Sequence, residues 1–276
     1  MAYKKILTIQ DISCVGQCSL TVALPILSAS GMETAILPSA VLSTHTGGFS
    51  GFTFRDLTDD MPAIQAHWQK EGIKFSAIYT GYLGSIKQIG YVKSILETMG
   101  TADCVKIVDP AMADNGKLYS IFDMDHVEAM KPLCGTADIL VPNITEAAFL
   151  TGCEYRESYD EAYVTELCEK LCALGAKTVV MTGIGYREGK TGVAVYDGGH
   201  MSHYEHDKIG KGCHGTGDVY ASAFVGALMN DKSIFDAAKI AADYTVKCII
   251  NTQGDADHWY GAKFETALGD YIEMLK

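Results

Sequence analysis

Gly210-Lys-Gly-Cys-His-Gly-Thr-Gly-Asp218 is followed directly by an apolar run from Val219 to Met229. Glycines let the backbone turn tightly, and the helix that the apolar run predicts brings the positive end of its dipole to the same place. The stretch therefore predicts an anion-binding loop at a helix N-terminus. A carboxylate there would repel the anion unless it takes a proton from a nucleophile. We therefore interpret Asp218 as the general base of phosphoryl transfer to an alcohol.

Two other interpretations of the same glycines remain open from the loop alone. The spacing Gly210-x-Gly212-x-x-Gly215 matches the dinucleotide-binding fingerprint. That fingerprint follows an apolar strand, however, and the residues at 204–209 are mostly polar, which argues against it. A flexible glycine loop with a structural aspartate at a helix start would also explain the pattern. Glycine content alone does not separate this last interpretation from an anion site.

Composition narrows the classes of function. The chain has 276 residues, 48% of them hydrophobic, which is enough to bury a large core. Its formal net charge of −12 argues against a general nucleic-acid or anionic-membrane surface, so small molecules are the expected partners. The N-terminus lacks the features of a signal peptide, and no apolar run approaches the roughly 20 residues that span a bilayer. We therefore expect a cytoplasmic protein.

The nine cysteines show no Cys-x-x-Cys pair, and their odd number is typical of reduced thiols. Two pairs, Cys14 with Cys18 and Cys168 with Cys172, have the i, i+4 spacing that places two sulfurs on one helical face. Apolar packing explains that spacing without zinc. Cys213 lies inside the glycine loop, where amide groups would lower its pKa, although a tolerated small residue explains it equally well.

Short β-type runs alternate with longer helical runs along the chain. This alternation predicts right-handed crossovers and a mostly parallel sheet, and hence one α/β domain over residues 1–276. A hairpin is predicted from residues 192–196 and 199–204, joined around Asp197-Gly198. The predicted strands before it are Lys5–Gln10, Thr34–Pro38, Ala77–Thr80, Cys104–Asp109, Ile139–Pro142 and Thr178–Thr182.

Polar or glycine-rich residues follow each of these strands. Ligands of parallel sheets bind beyond the carboxyl ends of the strands, so these positions are candidates for one shared site. Each of them taken singly is more often a turn or a helix cap. The segments are Gln10-Asp11, Ser43-Thr-His-Thr-Gly-Gly48, Gly81-Tyr-Leu-Gly84, Asp109-Pro110, Asn143-Ile-Thr-Glu146 and Thr182-Gly183.

Six motifs in a fixed order resemble the pyridoxal kinases of the ribokinase superfamily, and together they cover nearly the whole chain. They are Ile9-Gln10, Ser43-Thr-His-Thr46, Thr80-Gly-Tyr-Leu-Gly-Ser85, Val108-Asp-Pro-Ala-Met112, Val141-Pro-Asn-Ile-Thr-Glu146 and Gly215-Thr-Gly-Asp218. The resemblance implies a three-layer α/β/α ribokinase-like fold and a homodimer. The implied reaction transfers the γ-phosphoryl group of MgATP to the 5′-hydroxymethyl group of a vitamin B6 vitamer.

The resemblance also implies roles for individual residues. Asp218 would deprotonate the hydroxyl group, and the amides of Gly215, Thr216 and Gly217 would stabilise the transferring phosphoryl group. Mg²⁺ would be held by Glu146 through water, with Asp109 beside it; oxygen ligands suit this ion. Without the family, Glu146 would be taken as a helix N-terminal carboxylate and Asp109 as a turn residue. The implied ATP contacts are Asp109, Asn143, Glu146, Thr182, Gly215 and Gly217.

For the substrate, the resemblance places Thr46 and Tyr82 beside the pyridine ring, with His45 near them. A lone histidine between threonines is usually a structural hydrogen-bonded residue, so we assign His45 a ring contact only. The glycines and aromatic residues of Thr46–Phe54 predict a mobile cover that excludes water.

Asp11 departs from the family pattern, which has serine after the glutamine. A carboxylate at this place would pair with the cationic aminomethyl group of pyridoxamine, or with the exocyclic amine of a hydroxymethylpyrimidine, but an aldehyde offers it no charge. Asp11 is thus a predicted substrate contact that favours pyridoxamine. The alternatives to a B6 kinase are a hydroxymethylpyrimidine kinase and a noncatalytic sensor of nucleotide or vitamer.

Two further patterns are near misses. Gly185-Tyr-Arg-Glu-Gly-Lys-Thr191 has three residues between its glycines, where a Walker A loop has four, and it leads into the predicted hairpin, so we expect a surface turn. His200, His203 and His206 resemble a metal cluster only in sequence, because on a strand His203 would point away from the other two.

Overall fold

The computed structural model describes residues 3–210 and 213–276. Within these ranges a nine-stranded sheet has the order β11-β10-β9-β8-β5-β4-β1-β2-β3, and β6 and β7 form a separate two-stranded sheet. The strands are β1 Lys5–Ser13, β2 Glu33–Leu42, β3 Phe54–Asp56, β4 Phe75–Thr80, β5 Gly100–Val108, β6 Ala113–Asp114, β7 Lys117–Leu118, β8 Ile139–Leu140, β9 Thr178–Thr182, β10 Lys190–Asp197 and β11 His200–Asp207.

The six central strands, from β9 to β2, pair in parallel, while β10, β11 and β3 add antiparallel edges. The helices are α1 Leu20–Ala29, α2 Met61–Lys70, α3 Ile86–Thr98, α4 Met124–Cys134, α5 Ile144–Thr151, α6 Glu161–Ala173, α7 Thr216–Met229, α8 Ile234–Thr252 and α9 Leu268–Leu275, with short 3-10 helices at Ala256–His258 and Phe264–Ala267. Helices α1 to α6 lie between the parallel strands in the chain, and α7, α8 and α9 follow the last strand.

The core lies in two layers, one on each face of the sheet. Helices α2 to α6 pack on one face, and α1, α7, α8 and α9 pack on the other. Central strands buried on both faces are continuously apolar, as the run Ile6–Ile9 with its single threonine illustrates. The predicted three-layer α/β/α fold with a mostly parallel sheet is therefore confirmed.

Helix α7 is buried on nearly all sides. Its buried residues run without interruption from Val219 to Ala227, because the helix lies between the sheet and the helices α1 and α8. A helix that is apolar all round belongs in a core. The element that carries Asp218 near its start is thus held rigidly by packing.

Several predicted elements need correction, among them β2, which continues to Leu42, and β5, which begins at Gly100. Strand β1 continues to Ser13, so Gln10 and Asp11 lie inside it; the pairing with β2 shifts register between Gln10 and Ile12 and then resumes. The hairpin turn is Gly198-Gly199, both with positive φ, because Asp197 still pairs with His200. The short strands β3, β6 and β7 were not predicted, since two or three residues carry no periodic signal, and the eight-residue C-terminal helix α9 was missed as well.

No helix in the described part of the chain combines the length and the apolar character that crossing a bilayer requires.

Candidate active site

The segments that follow the parallel strands lie side by side at the carboxyl edge of the sheet. The amide of Gly81 donates to the carbonyl of Ile9 at 3.1 Å, and the amide of Asp109 donates to the carbonyl of Thr80 at 3.0 Å. Farther along the edge, the amide of Thr182 donates to the carbonyl of Pro142 at 2.9 Å. The sheet thus brings the predicted site segments together although they are far apart in sequence.

Asp218 lies in the first turn of α7, at this same edge. The amide of Ser19 donates to its Oδ2 at 2.9 Å. Burial raises the pKa of Asp218 to about 7, and the negative charge of Asp11 adds to the shift while the Ser19 amide opposes it. A carboxylate with a pKa near neutrality is suited to accept a proton from an alcohol.

The glycine loop meets the segment before α1 at Gly215, which is the N-cap of α7 and has φ 75°. A Cβ atom there would lie 1.6 Å from the carbonyl oxygen of Gln17, so only glycine allows this approach. The first turn of α7 leaves the amide groups of Thr216, Gly217 and Asp218 without partners inside the helix. Amide groups at a helix start, together with the helix dipole, favour an anion, and the cradle formed by the amides of Gly215, Thr216 and Gly217 stays a prediction. Lys211 and Gly212 lie outside the described residues.

Asp109 and Glu146 form the acidic part of the site. Burial, followed by the charges of Glu146 and Asp218, holds the pKa of Asp109 well above its usual range. Burial raises the pKa of Glu146 to about 7, although the amides of Asn143 and Met112 donate to its two oxygens at 2.9 and 3.1 Å. Asp109, Glu146 and Asp218 are three buried carboxylates, and a divalent cation would neutralise their negative charge.

Carboxylate oxygens are ligands that Mg²⁺ prefers, so Asp109 and Glu146 fit this ion. Within the described residues no group of three or more histidine, cysteine, aspartate or glutamate side chains is arranged to hold a metal. Mg²⁺ keeps several waters and binds substrate phosphates, so one or two carboxylates are enough for it.

Asn143 caps helix α5 in a capping box with Glu146. Its Oδ1 accepts from the Glu146 amide at 3.0 Å, and its Nδ2 donates to the carbonyl of Ala113 at 2.8 Å. Thr182 forms an isolated parallel bridge with Asn143 and is half-buried. Asn143 therefore orients the acidic group, and the ATP contacts of Asn143 and Thr182 stay predictions.

Asp11 is buried, with 5% of its surface exposed, and is held by two serines. The hydroxyl of Ser19 donates to its Oδ1 at 2.6 Å, and the hydroxyl of Ser13 donates to its Oδ2 at 3.0 Å. Burial raises the pKa of Asp11, while these two bonds and the nearby His45 oppose the rise. Burial raises the pKa of the Tyr82 hydroxyl, and the negative charge of Asp11 adds to the rise.

His45 is buried, and both of its ring nitrogens have partners within the protein. Its Nδ1 accepts from the amide of Gly47 at 3.0 Å, so its Nε2 carries the hydrogen and donates to the carbonyl of Tyr260 at 2.7 Å. Both ring nitrogens are thus committed to main-chain partners, and the predicted contact of His45 with the substrate ring stays a prediction. Thr46, next to it, is exposed.

A family model described as phosphomethylpyrimidine kinase matches residues 26–261, which is most of the chain. The chain belongs to the phosphomethylpyrimidine kinase family. It is similar to a solved structure from Bacteroides thetaiotaomicron, named as a phosphomethylpyrimidine kinase and crystallised with pyridoxal, with 36% identity and a TM-score of 0.92 over 98% of this chain and 96% of that one.

This family member is also similar to pyridoxal kinases. The crystal structure of pyridoxal kinase from Lactobacillus plantarum has 31% identity and a TM-score of 0.91, covering 98% of this chain and 97% of that one. A pyridoxine/pyridoxal/pyridoxamine kinase of Bordetella avium is 24% identical over 260 residues, or 90% of this chain and 85% of the relative. The predicted resemblance to pyridoxal kinases of the ribokinase superfamily is confirmed.

Several contacts of this family member were not predicted from its sequence. Ser13 and Ser19 hold Asp11, and Tyr260 holds His45. A serine directly before the apolar run that begins at Leu20 is typical of a helix N-cap, but the side chain of Ser19 does not cap α1. A serine before an apolar run has the same signature in either role, so no sequence signal separates them.

The near-miss motifs take no part in the site. Gly185–Thr191 runs from the loop after β9 into β10, and the ring of His203 packs on Tyr186 at 4.5 Å between centroids. All nine cysteines are free thiols. Burial raises the pKa of Cys213, which argues against an activated thiol in the glycine loop.

Proposed function

We propose that this chain transfers the γ-phosphoryl group of ATP to the 5′-hydroxymethyl group of a vitamin B6 vitamer. The observation that carries the proposal is the pairing of Asp218, whose pKa is about 7, with the amides of the helix start that carries it. A B6 vitamer is favoured over a pyrimidine because pyridoxal was crystallised with a relative of 36% identity that covers 98% of this chain.

In the proposed reaction, Asp218 takes the proton of the substrate hydroxyl as its oxygen attacks the γ-phosphorus. A new oxygen–phosphorus bond forms, the bond from the γ-phosphorus to the bridging oxygen breaks, and ADP leaves. The amides of Gly215, Thr216 and Gly217 stabilise the negative charge on the transferring group.

In this proposal, Asp109 and Glu146 at the carboxyl edge of the sheet belong to the part of the site that binds the nucleotide. We assign Asp109 and Glu146 to Mg²⁺, which when bound neutralises phosphate charge, and Asn143 and Thr182 to the neighbourhood of the ATP phosphates. On the vitamer side, we assign Asp11, His45, Thr46 and Tyr82 to contacts around the ring.

A hydroxymethylpyrimidine kinase is the second candidate, since the matching family model carries that chemistry in its description. Asp11 would serve it too, by accepting from an exocyclic amine. A noncatalytic sensor is the third candidate. It would bind nucleotide or vitamer without turnover, and Asp218 would then have no catalytic role.

A substrate panel distinguishes these candidates. Purified protein with ATP and Mg²⁺ is offered pyridoxal, pyridoxine, pyridoxamine and hydroxymethylpyrimidine, and ADP formation is measured. We expect turnover with at least one B6 vitamer and a kcat/KM at least about tenfold lower for the pyrimidine, the size of one lost polar contact. The opposite ranking supports the second candidate, and no turnover with any alcohol supports the third.

Asp218→Asn tests the base directly. We expect kcat to fall by about 10²–10⁴-fold with little change in ATP affinity, because a general base acts on the transition state. Asp103→Asn is the control, since Asp103 is an exposed aspartate in the first half of β5. Near-normal turnover by Asp218→Asn removes that residue from the mechanism.

We also propose that the protein works as a homodimer of a single domain in the cytoplasm. Sedimentation equilibrium tests the oligomeric state, and a monomer at micromolar concentration contradicts that part of the proposal.

A further inference from the structure

Ser19 has a backbone conformation that is unusual for serine. Its φ of 56° and ψ of −131° lie where glycine is favoured, at the residue immediately before α1. The other described non-glycine residues with positive φ are Asn115 and Asp231, types that adopt this conformation more readily. A non-glycine residue keeps such a conformation only where its surroundings hold it.

Two kinds of contact hold Ser19 in place. Its carbonyl accepts from the amides of Val22 and Ala23 at 3.0 and 2.9 Å, which fixes it to the start of α1. Its buried hydroxyl donates to Asp11 Oδ1 at 2.6 Å. The side chain is thus committed to Asp11 and makes no capping bond to the helix.

The main-chain amide of Ser19 points at the other carboxylate of the site. It donates to Asp218 Oδ2 at 2.9 Å, across 199 positions of sequence. In this backbone conformation one residue directs its hydroxyl at Asp11 and its amide at Asp218. The two carboxylates are therefore connected through a single strained residue.

We infer that Ser19 is a positioning residue for the base: its hydroxyl, anchored on Asp11, keeps the strained backbone in place so that its amide orients and stabilises the charged form of Asp218. This inference rests on the proposed role of Asp218 and adds a residue to it. An amide that donates to a carboxylate favours the ionised state, which is the state a base needs.

Other groups also act on the charge of Asp218, and the experiment must hold them constant. They come from β1, the loop before α1, β4, the segment after β5 and the segment after β7. These groups are Asp11, Cys18, Tyr79, Asp109 and Tyr119. A substitution at position 19 replaces none of these residues, and the loss of the hydroxyl bond to Asp11 is the same in Ser19→Ala and in Ser19→Gly.

The test compares Ser19→Ala with Ser19→Gly through the pH dependence of kcat/KM. Both variants lose the hydroxyl bond to Asp11 and keep the amide, but only glycine tolerates positive φ without an anchor. We expect the acidic limb of Ser19→Ala to move up by about one pH unit, because the amide withdraws from Asp218. In Ser19→Gly we expect the limb within about 0.3 pH unit of the parent protein, with kcat/KM lower by a few-fold.

An unmoved limb in Ser19→Ala, or equal displacement in both variants, overturns the inference. If Ser19→Ala does not fold, Ser19→Asn replaces it, since asparagine adopts positive φ and its amide group can donate to Asp11. The Asn and Gly variants should then both keep the parent limb, and an upward shift in either contradicts the inference. If the parent protein turns over no vitamer, the proposed function fails by itself. The same comparison is then made on the Asp218 carboxyl carbon by NMR titration, which needs no turnover.

Discussion

The residues that matter most here are carboxylates held at low solvent exposure. Asp11 and Asp218 share Ser19 as a hydrogen-bond donor, and the charge of Asp11 raises the pKa of Asp218. Such an arrangement destabilises the ionised fold, because desolvated like charges repel each other. Carboxylates with strongly shifted pKa values are typical of functional sites. Catalysis can need a carboxylate with a pKa near neutrality, whereas stability does not.

Ionisation of Asp218 should raise activity and lower the stability of the fold as the pH increases. Burial raises its pKa from 3.8 to about 7 in the folded chain, so kcat/KM should rise with pH through about 7 as the base ionises. The native state holds this proton more tightly than the unfolded chain, so the contribution of Asp218 to stability falls as pH rises from 3.8 to about 7.

Asp218→Asn should therefore unfold at a higher temperature than the parent protein at pH 8, by about 2 °C or more, and the difference should shrink at pH 5. Calorimetry at the two pH values measures both differences. A variant less stable than the parent at pH 8 would show that the ionised carboxylate contributes net stability through its bond from Ser19.

Asp11 should control the choice between vitamers. Its buried carboxylate is held by two hydroxyl groups, and within residues 3–210 and 213–276 none of its hydrogen bonds comes from a cation, so a substrate cation would be its charge partner. We expect pyridoxamine to be preferred over pyridoxal in kcat/KM, and we expect Asp11→Ser to lower that preference by about tenfold to a hundredfold. Asp11→Asn is the matched control for shape, since its Oδ1 still accepts from one serine hydroxyl and its Nδ2 can donate to the hydroxyl oxygen of the other. Equal vitamer ratios in all three proteins remove Asp11 as the determinant.

At the scale of elements, the site depends on two loops that touch at glycines. Residues 16–19 before α1 approach the start of α7 so closely that a Cβ on Gly215 would lie 1.6 Å from the Gln17 carbonyl oxygen. On the other side, a Cβ on Gly16 would lie 2.1 Å from the ring of His45. The close approach of Gln17 to Gly215 brings Ser19 within hydrogen-bonding distance of Asp218.

Gly215→Ala should separate the two loops. We expect a loss of about 2 kcal/mol or more in the free energy of unfolding, from positive φ and overpacking together, and a large loss of turnover. Gly217→Ala is the matched control for stability, because a Cβ there meets nothing within 4 Å. Denaturant unfolding of both variants gives the comparison, and equal stability would show that the loops are free to move apart.

At the scale of the whole molecule, the segment around Phe49 is held by residues from the far end of the chain. The ring of Phe49 lies 4.7 Å from that of Trp259 and 5.0 Å from that of His45, which in turn bonds Tyr260. The predicted cover therefore rests on the C-terminal segment after α8. Its movement stays a prediction, and Trp259 is placed to report it.

Trp259 should change its fluorescence when substrates bind. The chain has two tryptophans, so Trp68→Phe leaves Trp259 as the single emitter. Trp259 is 48% exposed, and we expect its emission to shift to shorter wavelength when a vitamer and a nonhydrolysable ATP analogue are added, because closure of the cover removes water. The Trp259→Phe protein, which keeps Trp68, controls for changes elsewhere. Unchanged emission at saturating ligand, with binding shown by calorimetry, would mean that the cover does not move.

The sequence by itself determined the alternation of strands and helices, the mostly parallel sheet and the glycine loop before Asp218. These follow from apolar periodicity and turn chemistry, which act between residues close in the chain. Only the tertiary structure decided that Ser19 joins Asp11 to Asp218, that β1 carries Asp11 past a register shift, and that Tyr260 fixes His45. Those contacts join residues as much as 215 positions apart, and a hydrogen bond across the fold leaves no pattern in the local sequence of either partner.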